Sequence, residues 1–270
     1  MDQRTKSISE ERQLQRRQQK RRQIQRKRRI RRIKMIAVFL LLLTGLGFGI
    51  CHLIPGQASA VHIPPSEFAS YPDWLQEMVK RNPETEDFAK DYENREDYIG
   101  KPIDLSGECH SGEVPMLFQW DRRWGYDPYG EENIGMAGCG PTCLSMAYIY
   151  LTGDTSKNPR EMAKFSEENG YYSEEGTAWS LWTEGAAKLG LHSTEVSLDE
   201  TVMKNRLDDG QVIICSMAPG DFTTTGHFIL IRGYGGDGFY VNDPNRRSNS
   251  EKSWDFERLR GQIKCLWALS

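Results

Sequence analysis

The hydrophobic pattern of the chain changes character along its length. Residues 1–34 are polar, and Met35–Ile54 then runs for 20 residues without an Asp, Glu, Lys or Arg, dominated by Ile, Leu, Val, Phe and Gly. As a helix such a run reaches about 30 Å, the thickness of a hydrocarbon core. Pro55 to Pro65 is small and proline-bearing, which predicts a spacer with no packed core. Trp74, Leu75, Met78 and Val79 then fall at helical spacing within residues 71–80. Asn82-Pro83 breaks that run, and residues 84–92 form a second, weaker one. The whole stretch 55–113 reads as spacer and short helical pre-domain region, suited to packing on the main domain or to capping a stalk.

From Val114 to Ser270 the pattern predicts a single domain. A helix is expected over 140–151, with Leu144, Ala147, Tyr148 and Leu151 on one face and Thr152-Gly153-Asp154 closing it. A second is expected over 159–169, with Pro159 in its first turn and Asn169-Gly170 as its stop. A third is expected over 177–189, ending at Gly190. The periodicity then shortens to β-like runs at 192–198, 211–217, 227–234, 238–242 and 263–268, with a short helix over 198–208 between them. Helices first and strands afterwards read as an α+β fold, a helical half packed on an antiparallel sheet, preceded by one N-terminal transmembrane helix.

Charge sharpens this picture. The net charge of −3 conceals 15 Lys and Arg in residues 1–34 against 3 Asp and Glu, which leaves 20 against 35 and a formal −15 in residues 35–270. A basic arm such as Arg26-Lys27-Arg28-Arg29 fits nucleic-acid binding in isolation. Directly ahead of an apolar run it reads instead as a topology signal that keeps the N-terminus in the cytoplasm beside acidic headgroups. No nucleic-acid partner is therefore expected. Gln57-Ala58-Ser59-Ala60 offers a signal-peptidase site, and cleavage after Ala60 would give a secreted protein. The length of the basic and apolar runs favours an uncleaved anchor. Either way the domain is expected outside the cell membrane. Beyond Cys51, five cysteines remain, Cys109, Cys139, Cys143, Cys215 and Cys265, which fit one functional thiol with up to two disulfides or five reduced thiols.

The chemistry concentrates at Gly138-Cys139-Gly140-Pro141-Thr142-Cys143-Leu144, a cysteine at the start of a helix. Unpaired backbone N–H groups and the macrodipole at a helix N-terminus stabilise a thiolate. Cys143, one turn further in among Leu144, Ala147 and Tyr148, reads as a buried inert thiol. A cysteine nucleophile needs a base, and His227 opens the apolar run Phe228-Ile229-Leu230-Ile231. Asp243, at the end of Tyr240-Val241-Asn242-Asp243-Pro244, suits the far imidazole N–H, and the amide of Gln119 suits an oxyanion hole. Taken singly, each has an ordinary reading: a structural thiol, a core histidine, a turn. The order Gln, Cys, His, Asp is what points to acyl transfer.

Cys139-x3-Cys143 lacks a second pair of ligands at short spacing, which argues against structural zinc. Phosphate-loop, H-E-x-x-H and dinucleotide fingerprints are absent from the sequence. The glycine-rich run 233–238 lies between two strands and suits a hairpin.

On these residues the chain resembles the papain-like cysteine peptidases related to the bacteriocin-processing, double-glycine leader peptidases, cysteine peptidase family 39. The resemblance is carried by Val114-Pro115 through Gln119-Trp120-Asp121, Gly138-Cys139-Gly140-Pro141-Thr142, Gly176-Thr177-Ala178-Trp179, Gly226-His227-Phe228 through Gly233-Tyr234, and Asn242-Asp243-Pro244. It implies Cys139 as nucleophile, His227 as base, Asp243 as orienting residue and Gln119 as oxyanion donor, with a peptide or protein substrate and no metal or organic cofactor. The residues at 71–92 look like a segment preceding the peptidase domain in stand-alone Gram-positive members, which implies a cell-envelope protein. Family members that process leader peptides face the cytoplasm and are fused to an ATP-binding transporter, whereas this chain shows no such motor and directs its domain outward. Substrates at or beyond the cell surface are the corresponding expectation. The residues also leave open an amidase or transpeptidase acting on cell-wall peptides, a non-catalytic module binding peptide or envelope ligands, and a Cys139/Cys143 redox pair, and they do not fix an oligomeric state.

Overall fold

The period-two segments pair into one six-stranded antiparallel sheet in the computed structural model, which describes residues 63–173 and 176–270. Its strands are β1 (Ser193–Glu195), β2 (Val212–Met217), β3 (His227–Gly235), β4 (Gly238–Asn242), β5 (Ser253–Trp254) and β6 (Ile263–Leu269). They lie in the order β1-β6-β2-β3-β4-β5, so the last strand inserts between the first two. The basic tail, the apolar run 35–54 and the Ala60 site lie outside the described residues. No helix among the described residues is long and apolar enough to cross a membrane.

Every residue of β2 is buried, because the sheet is covered on both faces. Alternation assigns the side chains. Val212 and Ile214 join Phe228, Leu230, Trp267 and Leu269 against the helical half. Ile213, Cys215 and Met217 join Ile229, Ile231 and Val241 against Met203, Trp254 and Leu259. Met203 lies in the helix Glu200–Asp208, inside the helix expected over 198–208, and Leu259 lies in the helix Phe256–Arg260, which the sequence pattern does not signal. At the sheet edge β1 keeps only three of the seven expected residues; two of them, Thr194 and Glu195, are exposed, which gives packing little hold on a longer strand.

The central helix, Cys139–Thr152, ends as its sequence implies, on Gly153 in the left-handed region at φ 75°. Gly140 to Ala147 are all buried, so the helix is enclosed around its first two turns, while Tyr148 and Leu151 are only half-buried. The next helix, Pro159–Glu168, starts where Asn158 accepts the Glu161 N–H at 3.2 Å. The helix expected over 177–189 is not continuous. Gly176–Thr177 pairs with Tyr172–Ser173, a 3-10 turn covers Trp179–Trp182, and only Glu184–Lys188 is α-helical. Two tryptophans account for the break. Trp182 packs its ring 4.9 Å from Phe228 and 6.2 Å from Trp267, while Trp179 meets Trp267 edge-on at 5.4 Å. Tertiary burial of aromatic area outweighs a local helical preference of a few tenths of a kcal/mol per residue.

Ahead of the domain, Asp73–Arg81 is helical and buries Leu75, Met78 and Val79. A 3-10 turn at Pro83–Thr85 and the helix Glu86–Lys90 follow. Of the two placements open from the sequence, the structure has this stretch packed on the domain: Phe88 stacks on Tyr126 at 4.1 Å, and Trp120 and Met136 flank the same cluster.

Fully buried Trp182 is the test of how firmly the two halves are joined. Trp182→Ala is expected to cost about 3–5 kcal/mol in urea unfolding, the range for emptying an aromatic site in a close-packed core. A loss below about 1 kcal/mol would mean that this contact does not hold the helical half to the sheet.

Candidate active site

Two packing contacts decide where the reactive side chains meet. Antiparallel pairing sets Leu230 of β3 opposite Asn242 of β4, so the start of β3 lies beside the end of β4. His227 opens β3 and Asp243 follows β4. Their Nε2 and Oδ1 atoms are 2.7 Å apart. The second contact is between the central helix and β3. The Cys143 thiol donates to the Phe228 carbonyl at 3.5 Å. Cys139 is one turn earlier on the same helix face and lines one cleft with His227, close enough to contribute to the raised pKa of the ring. Since Nε2 is taken by Asp243, Nδ1 is the ring nitrogen left for the thiol.

The helix start is tightly seated. A Cβ added at Gly140 would lie 2.6 Å from Thr177 Oγ1 and 2.8 Å from its methyl group. Only glycine lets the short 176–177 strand press against the turn that carries Cys139. This gives Gly176-Thr177 a packing role beside the thiol.

Asp243 is wholly buried, and its oxygens are saturated. Oδ1 accepts the Asn245 N–H at 2.8 Å and the Arg246 N–H at 3.2 Å in addition to His227, and Oδ2 accepts the Asn249 amide at 2.7 Å. Burial alone would raise its pKa, but the His227 charge and these donors outweigh it and hold the carboxyl below its ordinary 3.8. For His227, burial disfavours the charged ring. The Asp243 carboxylate, through its charge and its hydrogen bond, more than offsets this, with Cys139 adding to it, and the pKa is pushed from 6.5 up to about 10. Cys143, fully enclosed, is pushed well above its ordinary value by burial, in keeping with an inert thiol.

Gln119 reaches the same place, though with its donors engaged. Its Nε2 donates to the carbonyls of Gly135 at 2.8 Å and Met136 at 3.2 Å, and its buried Oε1 has no partner among the described residues. As placed, the amide braces the turn ahead of Cys139. Donation to a substrate oxygen requires it to release one carbonyl.

A cleft of about 460 Å³ opens on Cys139 and His227. Its lining comes from the loop Gly220–Gly226 between β2 and β3, from Asn245 and Arg246, and from Met78, Arg81 and Asn82 of the N-terminal helical stretch. Cys109, Cys139, Cys143, Cys215 and Cys265 are all unpaired, the reduced one of the two alternatives the sequence left open. Among the described residues no group of three or more His, Cys, Asp or Glu is arranged to hold a metal ion.

Residues 111–268 match the model of the Peptidase_C39 like family, more than half of the chain. The chain belongs to this family. Solved structures similar to it include the peptidase domain of ComA from Streptococcus, a bi-functional ABC transporter involved in a quorum-sensing pathway, at 21% identity over 50% of this chain and 91% of that one with a TM-score of 0.40. A C39-like peptidase from Bacillus anthracis is 14% identical over 59% of this chain and 95% of that one, with a TM-score of 0.39. No curated protein matches the chain.

Two residues of this C39-like site act in ways that the sequence does not signal. Asn249 has no motif around it, and its role follows only from the turn of 247–250 beside Asp243. Asn242 has no sequence signal of its own beyond preceding Asp243. Buried, it donates to the Pro115 carbonyl at 2.9 Å and accepts from Arg232 at 2.8 Å, which ties the strand end to the residues ahead of Gln119.

The coupled shifts set a pH signature. His227, with its pKa raised, stabilises the fold in full below pH 6.5, and that contribution is lost as pH climbs to about 10. Asp243, with its pKa lowered, contributes above pH 3.8 and loses this as pH falls through its depressed value. The melting temperature of Asp243→Asn is therefore expected to fall furthest below wild type between about pH 4 and pH 6.5 and to approach it near pH 10. A gap that stays constant with pH would show that the two groups are not coupled in this way.

Proposed function

We propose that this chain is a cysteine peptidase that hydrolyses peptide or protein substrates outside the cell membrane, to which residues 35–54 tether it. The observation that carries this reading is Cys139 and His227 lining one open cleft, with buried Asp243 bonded to Nε2 of His227 so that Nδ1 is left free. Membership of a peptidase-like family supports the class of reaction.

The raised His227 pKa places a proton on the imidazole at neutral pH, which readies the ring to act as the acid, and the form of Cys139 that attacks in this mechanism is the thiolate. The Cys139 thiolate adds to the scissile carbonyl carbon and the carbonyl oxygen becomes an oxyanion. Gln119, on releasing Met136, can donate to that oxygen. Collapse of the adduct expels the amine, which takes the proton from His227. Neutral His227 then takes a proton from water as the water oxygen adds to the thioester carbonyl carbon, and collapse of this second adduct breaks the C–S bond, releases the acid and restores the Cys139 thiolate beside the protonated ring. Asp243 stays ionised throughout and keeps the ring turned towards Cys139. No step calls for a metal or an organic cofactor.

Alkylation tests this without knowledge of the substrate. Iodoacetamide at pH 6 is expected to modify Cys139 at least about tenfold faster than Cys109 or Cys265, because only a thiol with an imidazolium partner has an appreciable thiolate fraction there. His227→Ala is expected to abolish that advantage, with modified residues read by mass spectrometry. Equal, slow labelling of the three cysteines would remove the catalytic reading and leave a peptide-binding module of the same fold.

A further inference from the structure

We propose that Asn82 and Glu84, which precede the family-matched residues, are positioning residues for the Asp243 carboxylate and through it for His227. This rests on the reading of Cys139 and His227 as the reacting pair.

The argument starts from what fixes Asp243. Two of its four acceptor contacts are the backbone N–H groups of Asn245 and Arg246, so the carboxylate is aimed correctly only if residues 244–248 follow one path. Much of that path is set from elsewhere in the chain. The Pro244 carbonyl accepts the Gln119 N–H at 2.8 Å, and the Asn245 carbonyl accepts Trp120 Nε1 at 2.7 Å. The remaining anchors come from residues 81–84. Asn82 Nδ2 donates to the same Asn245 carbonyl at 2.5 Å, and the Glu84 carboxylate accepts the N–H groups of Arg247 at 2.5 Å and Ser248 at 3.0 Å. Arg246 Nη2 in turn donates to the Arg81 carbonyl at 2.6 Å.

Asn82 is placed to hold rather than to follow. It is 2% exposed, it accepts the Glu84 N–H at 3.2 Å through Oδ1, and so it joins its own turn and the Asp243 loop with one side chain. Its neighbours Met78 and Arg81 line the cleft with it. The helical stretch ahead of the matched region is therefore a working part of the site.

The test compares full-length wild type, Asn82→Asp, Glu84→Gln and Asp243→Asn by the rate of Cys139 alkylation with iodoacetamide from pH 5 to pH 10, with thermal melting of each. Asn82→Asp keeps the oxygen that accepts the Glu84 N–H and removes the donor to Asn245. Glu84→Gln keeps one acceptor for the loop. Both are expected to lower the rate at pH 6 about fivefold, the worth of one hydrogen bond, and to rejoin wild type at alkaline pH, where the thiolate forms without its partner. The melting temperature of Glu84→Gln is expected to stay within about 2 °C of wild type, which separates positioning from loss of fold even where Asn82→Asp, with a carboxylate set against the Asn245 carbonyl, melts lower. Asp243→Asn sets the full size of the effect. If wild type shows the acid-side reactivity and both variants superimpose on it, the positioning role is overturned while the Cys139/His227 reading stands. If wild type itself lacks acid-side reactivity, that reading fails and this inference falls with it.

Discussion

The crossing of the central helix over the start of β3 is the contact on which the site depends. It places one turn of helix, Cys139 to Cys143, along two residues of strand, His227 and Phe228. A helix advances about 5.4 Å per turn and a strand about 3.4 Å per residue, so only a close, fixed crossing keeps both cysteines in register with their partners. The short 176–177 segment helps to fix the helix start by packing closely against it. Gly140 has no Cβ, and Thr177 occupies the space one would need. The helix is also enclosed around its first two turns, which leaves it little freedom to rotate and carry the thiol away from the ring.

A wholly buried carboxylate is a second constraint, and it explains why the site is assembled from so many parts of the chain. An unpaired charge in such a position costs several kcal/mol, and breaking a buried pair costs about 3–5 kcal/mol. Asp243 avoids this through donors from β3, from the backbone at 245 and 246, and from Asn249. Each donor is useful only when the others are in place. The raised His227 pKa is the other side of the same arrangement: the proton held on the ring is what the buried carboxylate demands.

How much of this could be read from the sequence follows from how local each feature is. The helix from Cys139, the helix from Pro159 and the strands of 212–217, 227–235 and 238–242 obey local rules of capping, glycine stops and alternation, and their bounds agree with the pattern to within one residue. The third helix fails because Trp179 and Trp182 take their conformation from Trp267, some 85 residues away. Cys139, His227 and Asp243 could be named because each sits at the end of a regular element, where chain order and element type already suggest proximity. Asn249 and Asn82 could not, since each acts from an irregular segment whose course no period specifies. Gln119 is intermediate: its place was legible, but its engagement by the Gly135 and Met136 carbonyls depends on a turn with no sequence signature of its own.

The same reasoning explains why the thiols differ so widely in one small domain. Cys143 and Cys215 are enclosed by apolar side chains, and burial raises both, so neither offers a thiolate at neutral pH. Cys265 is raised to about 11 by partial burial and by Glu195 beside it. Of the five, Cys139 is the one that shares a cleft with His227, whose raised pKa keeps the ring protonated at neutral pH, and it is only half-buried. Reactivity in a thiol requires a compensating positive charge together with access. Burial supplies the low dielectric that strengthens the first and works against the second. A half-buried position at a helix start, facing a strand end, reconciles the two demands, and in this fold the crossing of the central helix with β3 creates it.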